Sequence, residues 1–310
     1  MVSIPCASRD SIEGVLLKRV INGGENNTTT VVFYPNHGAG FCNDFRAIRS
    51  FFFLSALYGY RFRSIYLGCG LSVVLWGDFF SVMDERLQFL QYSGQQCQGT
   101  SFQQIVRGSL NASCYFITHM HDLTEFIFKN ENCTRRMLNL FQEIPDQRTI
   151  SKQLSHLLFH LKRTLREEAR MIEKEMNHPL IGLQIRTGSG LADFKDSASY
   201  MTMDRMSHVN SLIESIIRNG LSNSTIFLST DSNAVQEYMK NTTYNVVTAD
   251  VYQIGHTARG RPGYDDSFIK RAVIDLYLLS RCDYLIVTKG SSFGDTAVIL
   301  SSVTSVFVIS

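Results

Sequence analysis

Short apolar strands and helices alternate through the second half of the chain, and this alternation limits the fold more than any other feature. Apolar and β-branched runs predict strands at 180–185, 224–230, 244–248, 284–288 and 305–310. Helical spacing predicts helices at 233–241, 268–280 and 293–301. Alternation of this kind predicts an α/β fold with a doubly wound parallel sheet.

The first half of the chain begins in the same way. A strand at 29–34, a helix at 45–57 and a strand at 63–67 form a β-loop-α-β start, which is typical of a parallel sheet. Residues 76–146 lack a regular pattern and are predicted to form a loop-rich insertion.

One long helix is predicted at 150–176, between the two regions. Its leucines share the spacing of a single helix face: Leu154, Leu157, Leu158, Leu161 and Leu165. Ser151 is the predicted N-cap. We expect this helix to join an N-terminal domain, 1–150, to a C-terminal domain, 151–310.

The overall composition is that of an ordinary globular protein and argues against several classes of partner. A net charge of +2 is too small to indicate nucleic acid or an anionic membrane. Residues 1–10 have no signal-peptide core, and no run of about 20 apolar residues indicates a membrane span. The sequence therefore predicts no nucleic acid partner and no membrane contact.

Cysteines and glycosylation sequons bear on the compartment. The seven cysteines form no CxxC pair, which argues against zinc, but Cys97, Cys114 and Cys133 could supply one or two disulfides. Six asparagines begin an N-x-S/T triplet: Asn26, Asn27, Asn111, Asn132, Asn223 and Asn241. This excess favours the lumen of the endoplasmic reticulum or Golgi, or secretion, while a cytoplasmic location stays open.

Three chemically different groups follow strands of the predicted C-terminal sheet. Arg186 ends the strand at 180–185, Asp231 ends the next strand, and Ser291 and Ser292 open a helix after Gly290. Because the carboxyl ends of parallel strands share one edge, we expect these groups to converge there, where open α/β sheets bind ligands. Arginine suits a phosphate, and a helix start offers N–H groups to phosphate oxygens.

Each of these residues also has a purely structural interpretation. Arg186 could pair with a surface carboxylate, and Asp231 or Ser292 could cap the helix that follows it. The run His119-Met120-His121-Asp122 could suggest a metal site, but no third ligand is evident. No Walker A, G-x-S-x-G or G-x-G-x-x-G motif follows a strand, so hydrolase, P-loop and nicotinamide functions lack support.

The C-terminal motifs, in this order, resemble those of the GDP-fucose-dependent fucosyltransferases: the α1,6-, nodulation, xyloglucan and protein O-fucosyltransferases. Gln184-Ile185-Arg186 corresponds to the H-x-R strand end of that family, and Thr230-Asp231-Ser232 corresponds to its T-D-D motif. The stretch 275–292 corresponds to the family's third motif, a helix followed by a strand and a Ser-rich loop. More weakly, 37–62 is similar to the early G-x-G-N/Q loop and the helix after it.

The resemblance implies a GT-B fold, with two Rossmann-like domains and the donor in the cleft between them. It implies an inverting transfer of L-fucose from GDP-β-L-fucose to a glycan or glycoprotein hydroxyl, without a metal or other cofactor. Arg186 would neutralise the β-phosphate. Asp231 would contact the nucleoside side of the donor, and Ser291 and Ser292 its diphosphate. The other implied donor-binding residues are Gly38, Gly40, Asn43 and Phe293.

Some residues depart from the family pattern and keep other functions open. Gln184 replaces the usual histidine, and Thr187 stands where the α1,6 and nodulation enzymes tend to have a second basic residue. Asp193 is the candidate general base, with Asp196 as a second candidate and Lys195 as a further phosphate contact. The alternatives are a catalytically silent relative that binds a nucleotide sugar or glycan, and a GT-B enzyme with another nucleotide sugar.

Overall fold

A computed structural model describes residues 12–22, 29–35, 40–64, 98–99, 101–107, 110, 114–119, 121–188, 199–218, 223–255 and 267–310. The chain divides into two compact units, here called unit 1 and unit 2. Unit 1 contains the residues up to His160, and unit 2 contains those from Leu161 onward, apart from 260–263, which lie outside the described residues. Within the described ranges, no helix is both long and apolar enough to cross a membrane.

Unit 1 contains a parallel sheet of four strands. In chain order its strands are β1 (Thr30–Pro35), β2 (Arg61–Ser64), β3 (Gln98–Gly99) and β4 (Cys114–His119). The spatial order is β2-β1-β4-β3, so β1 and β4 form the centre. Its helices are α1 (Ile12–Asn22), α2 (Phe41–Tyr58), α3 (Phe102–Arg107), α4 (Thr124–Lys129), α5 (Glu131–Phe141) and α6 (Gln147–Leu158).

Helix α2 is the centre of the unit 1 core. It begins at Phe41, four residues before the predicted start, and nearly all of its side chains are buried. Gly59 ends it with a φ of 68°, a left-handed conformation that glycine adopts without steric cost. Because it is buried on nearly all sides, α2 lies inside unit 1 rather than on its surface.

The prediction of a loop-rich insertion over 76–146 is wrong for the part of that segment that the structure describes. Strand β4 lies in the middle of the unit 1 sheet, and α3, α4 and α5 follow or precede it. Both ends of α5 are defined locally: the Asn130 side chain accepts from the N–H groups of Asn132 and Cys133, and Gln142 closes the helix with a φ of 65°. Polar residues dominate α5 because one side of it faces water, and this obscured its helical pattern.

The suggested disulfide is not formed at Cys133, which is a free and fully buried thiol. Burial raises the pKa of this thiol to about 11, so it stays protonated at neutral pH. The backbone of β4 includes Cys114, but its side chain and the whole of Cys97 lie outside the described residues.

The long helix predicted at 150–176 is instead two helices. Helix α6 ends at Leu158, and helix α7 (Arg163–Glu173) begins five residues later. Asp146, rather than Ser151, is the N-cap of α6, because its carboxylate accepts the Thr149 N–H at 2.8 Å. The leucines keep one helical period across the break, and both sides are buried, so periodicity alone did not reveal the interruption.

Unit 2 contains a parallel sheet of five strands in the order β7-β6-β5-β8-β9. The strands are β5 (Leu180–Ile185), β6 (Thr225–Thr230), β7 (Val246–Val247), β8 (Tyr284–Thr288) and β9 (Val306–Ile309). Its remaining helices are α8 (Met206–Arg218), α9 (Asn233–Lys240), α10 (Ser267–Leu279) and α11 (Ser292–Leu300). Strands β5 and β6 are buried at every residue, as the apolar runs predicted.

An ion pair between the buried Arg49 and the half-buried Asp122 stabilises unit 1. Arg49, on α2, has no exposed surface and contacts the Asp122 carboxylate, while its Nη1 also donates to Ser155 Oγ at 3.1 Å. Asp122 Oδ1 accepts from Ser50 Oγ at 2.9 Å and from the Thr124 N–H at 2.9 Å. Burial raises the pKa of Asp122, but the Arg49 charge and the hydrogen bonds from Thr124 and Ser50 outweigh it, so the pKa is lowered overall. Asp122 thus has a structural role in the run that suggested a metal site.

We predict that Asp122→Asn destabilises unit 1 strongly. The substitution removes the only negative charge of the pair and leaves the Arg49 guanidinium buried without compensation, at a cost of about 3–5 kcal/mol. Asp146→Asn is the matched control, since that residue is an exposed helix cap and asparagine caps a helix about as well as aspartate. Urea denaturation followed by circular dichroism measures both, and equal losses for the two variants would contradict the prediction.

Candidate functional site

The strand order of unit 2 places a switch of direction beside strand β5. From β5 the chain adds β6 and then β7 on one side, and it returns to add β8 and β9 on the other. Ligands of open α/β sheets bind at the carboxyl ends of the strands that flank such a switch. The carboxyl ends of β5 and β8 are therefore the candidate site, and both carry polar residues.

Arg186 directly follows β5. Its Nη1 lies 3.3 Å from Asp231 Oδ2, and its guanidinium carbon lies 5.9 Å from the centre of the Tyr200 ring. The Arg186 side chain keeps 23% of its surface exposed, while the Asp231 side chain keeps 7%. The structure thus brings together the charged ends of β5 and β6, as the sequence predicted, and leaves the cation partly accessible.

The Asp231 carboxylate is bonded mainly to the backbone turn after β5. Its Oδ1 accepts from the Thr187 N–H at 2.8 Å and from Thr187 Oγ1 at 2.9 Å. Its Oδ2 accepts from the Gly188 N–H at 3.0 Å, in addition to facing Arg186. The helix-capping interpretation of Asp231 is not what the structure shows, because Ser232 accepts from the Val235 N–H and caps α9.

A second set of hydrogen bonds joins the end of β5 to the end of β8. Gln184 Oε1 accepts from the Thr288 N–H at 3.1 Å, and Thr288 Oγ1 donates to the Gln184 carbonyl at 3.1 Å. Thr288 Oγ1 also accepts from the Arg186 N–H at 2.9 Å. The glutamine that replaces the family's histidine therefore fixes the end of β8 relative to the residue that carries the positive charge.

The turn after β8 leads into helix α11 and presents its amino end. Gly290 has a φ of 75°. Ser291 is the N-cap, with its Oγ accepting from the Gly294 N–H at 3.3 Å, and Ser292 and Phe293 are the first two helical residues. Ser291 is buried, whereas Ser292 and Phe293 are partly exposed. A helix start of this kind favours anions through its N–H groups and dipole.

The remaining predicted site residues fall outside this cluster. Gly40 is the N-cap of α2, in an ordinary extended conformation, and Asn43 lies in the first turn of that helix, both in unit 1. Gly38, Asp193, Lys195 and Asp196 lie outside the described residues.

The contacts of Thr187 and Thr288, and the position of Lys289 beside the site, were not predicted from the sequence. Thr187 was noted as a departure from the family, although its hydroxyl binds Asp231. Lys289 is an exposed cation in the turn between β8 and α11, next to the helix start. Gln184 could have indicated the contact with Thr288, because a long polar side chain within an apolar buried strand must have a hydrogen-bond partner.

Comparison with known proteins gives the family context. Residues 149–297 match the family model described as alpha-(1,6)-fucosyltransferase N- and catalytic domains. This match covers Arg186, Asp231 and the turn after β8. The resemblance to GDP-fucose-dependent fucosyltransferases is confirmed. A search of curated proteins found no match.

Solved structures of fucosyltransferases share the fold. A mutant of FUT1 from Arabidopsis thaliana in complex with GDP has a TM-score of 0.55 and 13% identity, covering 94% of this chain and 73% of the other. POFUT1 in complex with GDP-fucose has a TM-score of 0.50 and 11% identity, covering 91% of this chain and 98% of the other. The predicted fold class, α/β of the GT-B type, is confirmed.

We predict that Gly294→Ala destabilises the protein although it replaces glycine in a helix. A Cβ at this position would lie 2.7 Å from Gln184 Oε1 and 3.0 Å from Val287 Cβ, so it would push Gln184 away from the Thr288 N–H. Overpacking of this kind costs about 1–3 kcal/mol, whereas glycine to alanine in an open helix position gains roughly 0.5–1 kcal/mol. Chemical denaturation gives the sign, and a stabilised variant would contradict the prediction.

Proposed function

We propose that this protein is an inverting glycosyltransferase that moves L-fucose from GDP-β-L-fucose to a hydroxyl group of a glycan or glycoprotein. The observation that carries the proposal is the position of Arg186 at the carboxyl end of β5, beside the switch in strand order and joined to Asp231 and Thr288. The match of residues 149–297 to the fucosyltransferase family model supports fucose as the transferred sugar.

The proposed chemistry follows from the groups at this edge of the sheet. Cleavage of the bond between fucose and GDP leaves negative charge on the β-phosphate, and the Arg186 guanidinium would stabilise that charge as it develops. The amino end of α11, with Ser291, Ser292 and Phe293, would receive the diphosphate, with Lys289 as a further cation nearby. These groups supply positive potential from the chain itself, so we propose that the reaction needs no metal.

The proposal assigns the remaining steps by resemblance to the family. Gly38, Gly40 and Asn43 keep the donor-binding role that this resemblance implies. Asp193 would take the proton from the acceptor hydroxyl as that oxygen attacks the anomeric carbon.

We predict that GDP stabilises the protein and that Arg186→Ala removes most of this effect. A specific ligand at one hundred times its Kd stabilises a fold by about 2.7 kcal/mol, which thermal denaturation detects readily. Arg281→Ala is the matched control, because Arg281 also pairs with a carboxylate in unit 2 but precedes β8 at the other edge of the sheet. We expect GDP to protect this control like the wild-type protein.

The same experiment separates the proposal from its alternatives. Stabilisation by UDP or ADP but not by GDP would contradict the fucose assignment. Binding of GDP-fucose without release of fucose to water or to any acceptor would indicate a catalytically silent relative. Fucose release by the wild-type protein, abolished in Arg186→Ala and retained in Arg281→Ala, is the expected result.

We further propose that the protein works in the lumen of the secretory pathway. Three sequon asparagines lie on exposed positions of the described residues: Asn132, Asn223 and Asn241. Asn223 precedes β6 and Asn241 follows α9, so both lie at the amino edge of the unit 2 sheet, away from Arg186. Glycans at these positions would leave the carboxyl edge open to the donor.

We predict that the protein, directed into the secretory pathway of eukaryotic cells, carries N-glycans at Asn223 and Asn241. Treatment with an N-glycosidase should lower its mass, and Asn223→Gln or Asn241→Gln should each remove one glycan. Asn245→Gln is the control, since Asn245 begins no sequon and donates to Thr225 Oγ1. An unchanged mass after glycosidase treatment would contradict the prediction.

A further inference from the structure

The carboxylate of Asp231 is almost completely enclosed by one short segment of chain. Its two oxygens receive the Thr187 N–H, the Thr187 hydroxyl, the Gly188 N–H and the Arg186 guanidinium, at 2.8–3.3 Å. An ionised carboxylate offers about four acceptor sites in total. The four donors of residues 186–188 therefore use the hydrogen-bonding capacity that a ribose or a base would need.

We propose that Asp231 is a positioning residue, which holds Arg186 and the turn after β5 in place, and that it does not bind the nucleoside. This inference rests on the proposed function, because it assigns the role of Asp231 at the same site. It replaces the contact with the nucleoside that the family resemblance implied for this residue.

The segment that Asp231 holds is also fixed from its other side. The Arg186 carbonyl accepts from the Met201 N–H at 3.1 Å, and the Thr187 carbonyl accepts from the Tyr200 N–H at 3.0 Å. Gly188 and Ser199 form an antiparallel bridge. The backbone of 186–188 is therefore bonded through its carbonyl groups to 199–201 and through its N–H groups to Asp231 and Thr288.

This arrangement prepares the guanidinium for a second anion. Asp231 is buried, whereas the Arg186 side chain keeps part of its surface exposed. A guanidinium has five N–H donors in a fixed plane, and fixing that plane before a ligand arrives reduces the entropy lost on binding. The charge on Asp231 thus restrains the direction of the Arg186 side chain. Loss of this charge would weaken the binding of any ligand that contacts Arg186.

Asp283 provides a matched control at the other end of the same strand. Its Oδ2 accepts from the Leu180 N–H, the first of β5, at 2.7 Å, and lies 3.0 Å from His178 Nδ1. Asp231 and Asp283 thus both bind backbone N–H groups at an end of β5, but only Asp231 contacts Arg186. Asp283→Asn tests the loss of a strand-end carboxylate without a change at the candidate site.

The test measures the affinity of GDP and of guanosine for wild-type protein, Asp231→Asn and Asp283→Asn by calorimetry, with competition for the weaker ligand. A hydrogen bond to a charged group is worth about a 10-fold to 100-fold change in affinity, so we expect Asp231→Asn to bind GDP at least about 10-fold more weakly. We expect its affinity for guanosine, and both affinities of Asp283→Asn, to stay within about 2-fold of wild type, as is usual for sites without shared partners.

A double-mutant cycle completes the design. If Asp231 acts through Arg186, the double variant Arg186→Ala/Asp231→Asn binds GDP no more weakly than Arg186→Ala alone. Thr187→Val removes one donor from Asp231 without altering the carboxylate, and we expect a smaller loss of GDP affinity that also spares guanosine. This second variant keeps the test valid should Asp231→Asn fold poorly.

The outcomes distinguish this inference from the proposed function. An equal loss of GDP and guanosine affinity in Asp231→Asn, or losses that add to those of Arg186→Ala, would overturn the positioning role and restore a contact with the nucleoside. GDP affinity unchanged in both Asp231→Asn and Thr187→Val would also overturn it. Failure of the wild-type protein to bind GDP would overturn the proposed function itself, and with it the diphosphate as the ligand of Arg186.

Discussion

Unit 2 depends on the burial of strand β5 on both of its faces. All six residues of β5 are buried, and the strand pairs with β6 on one side and β8 on the other. Its apolar side chains pack into a core formed with α8, α9 and β6. The middle of the sheet cannot move without exposing this core. The backbone position of the residue that follows the carboxyl end of β5 is therefore fixed. Arg186 is that residue.

The parts of the fold that the sequence could predict are those where local pattern and tertiary structure agree. Strands β5 and β8 were predicted over the same residues as observed, and β6 and β9 to within one residue at each end, because a buried parallel strand is a continuous apolar run bounded by turns. Helix α6 was wrongly extended through α7, since the break keeps the spacing of the leucines. Helix α8 was not predicted, although its buried residues Met206, Val209, Ile213 and Ile216 have helical spacing and pack on the same core.

The candidate site divides in the same way. The convergence of Arg186, Asp231 and the turn after β8 follows from parallel topology and was predictable. The role of each residue within the site was not predictable. The sequence Thr230-Asp231-Ser232 does not determine whether the Asp231 carboxylate contacts a ligand or the protein backbone. That distinction depends on the distances from Asp231 to Thr187 and Gly188, which lie on a different strand end.

The carboxylates at the two ends of β5 have a consequence for the register of the sheet. A strand with one polar face is held in register by its alternation, since a slip of one residue would expose every apolar side chain. Strand β5 has no such face, so its apolar pattern alone tolerates sliding. Asp283 accepts from the Leu180 N–H, the first of β5, and Asp231 accepts from the Thr187 and Gly188 N–H groups just after the strand. A shift of two residues would break both contacts and move Arg186 by about 7 Å. The two aspartates therefore fix both ends of β5 relative to the neighbouring strands and determine how far the Arg186 guanidinium projects beyond the sheet.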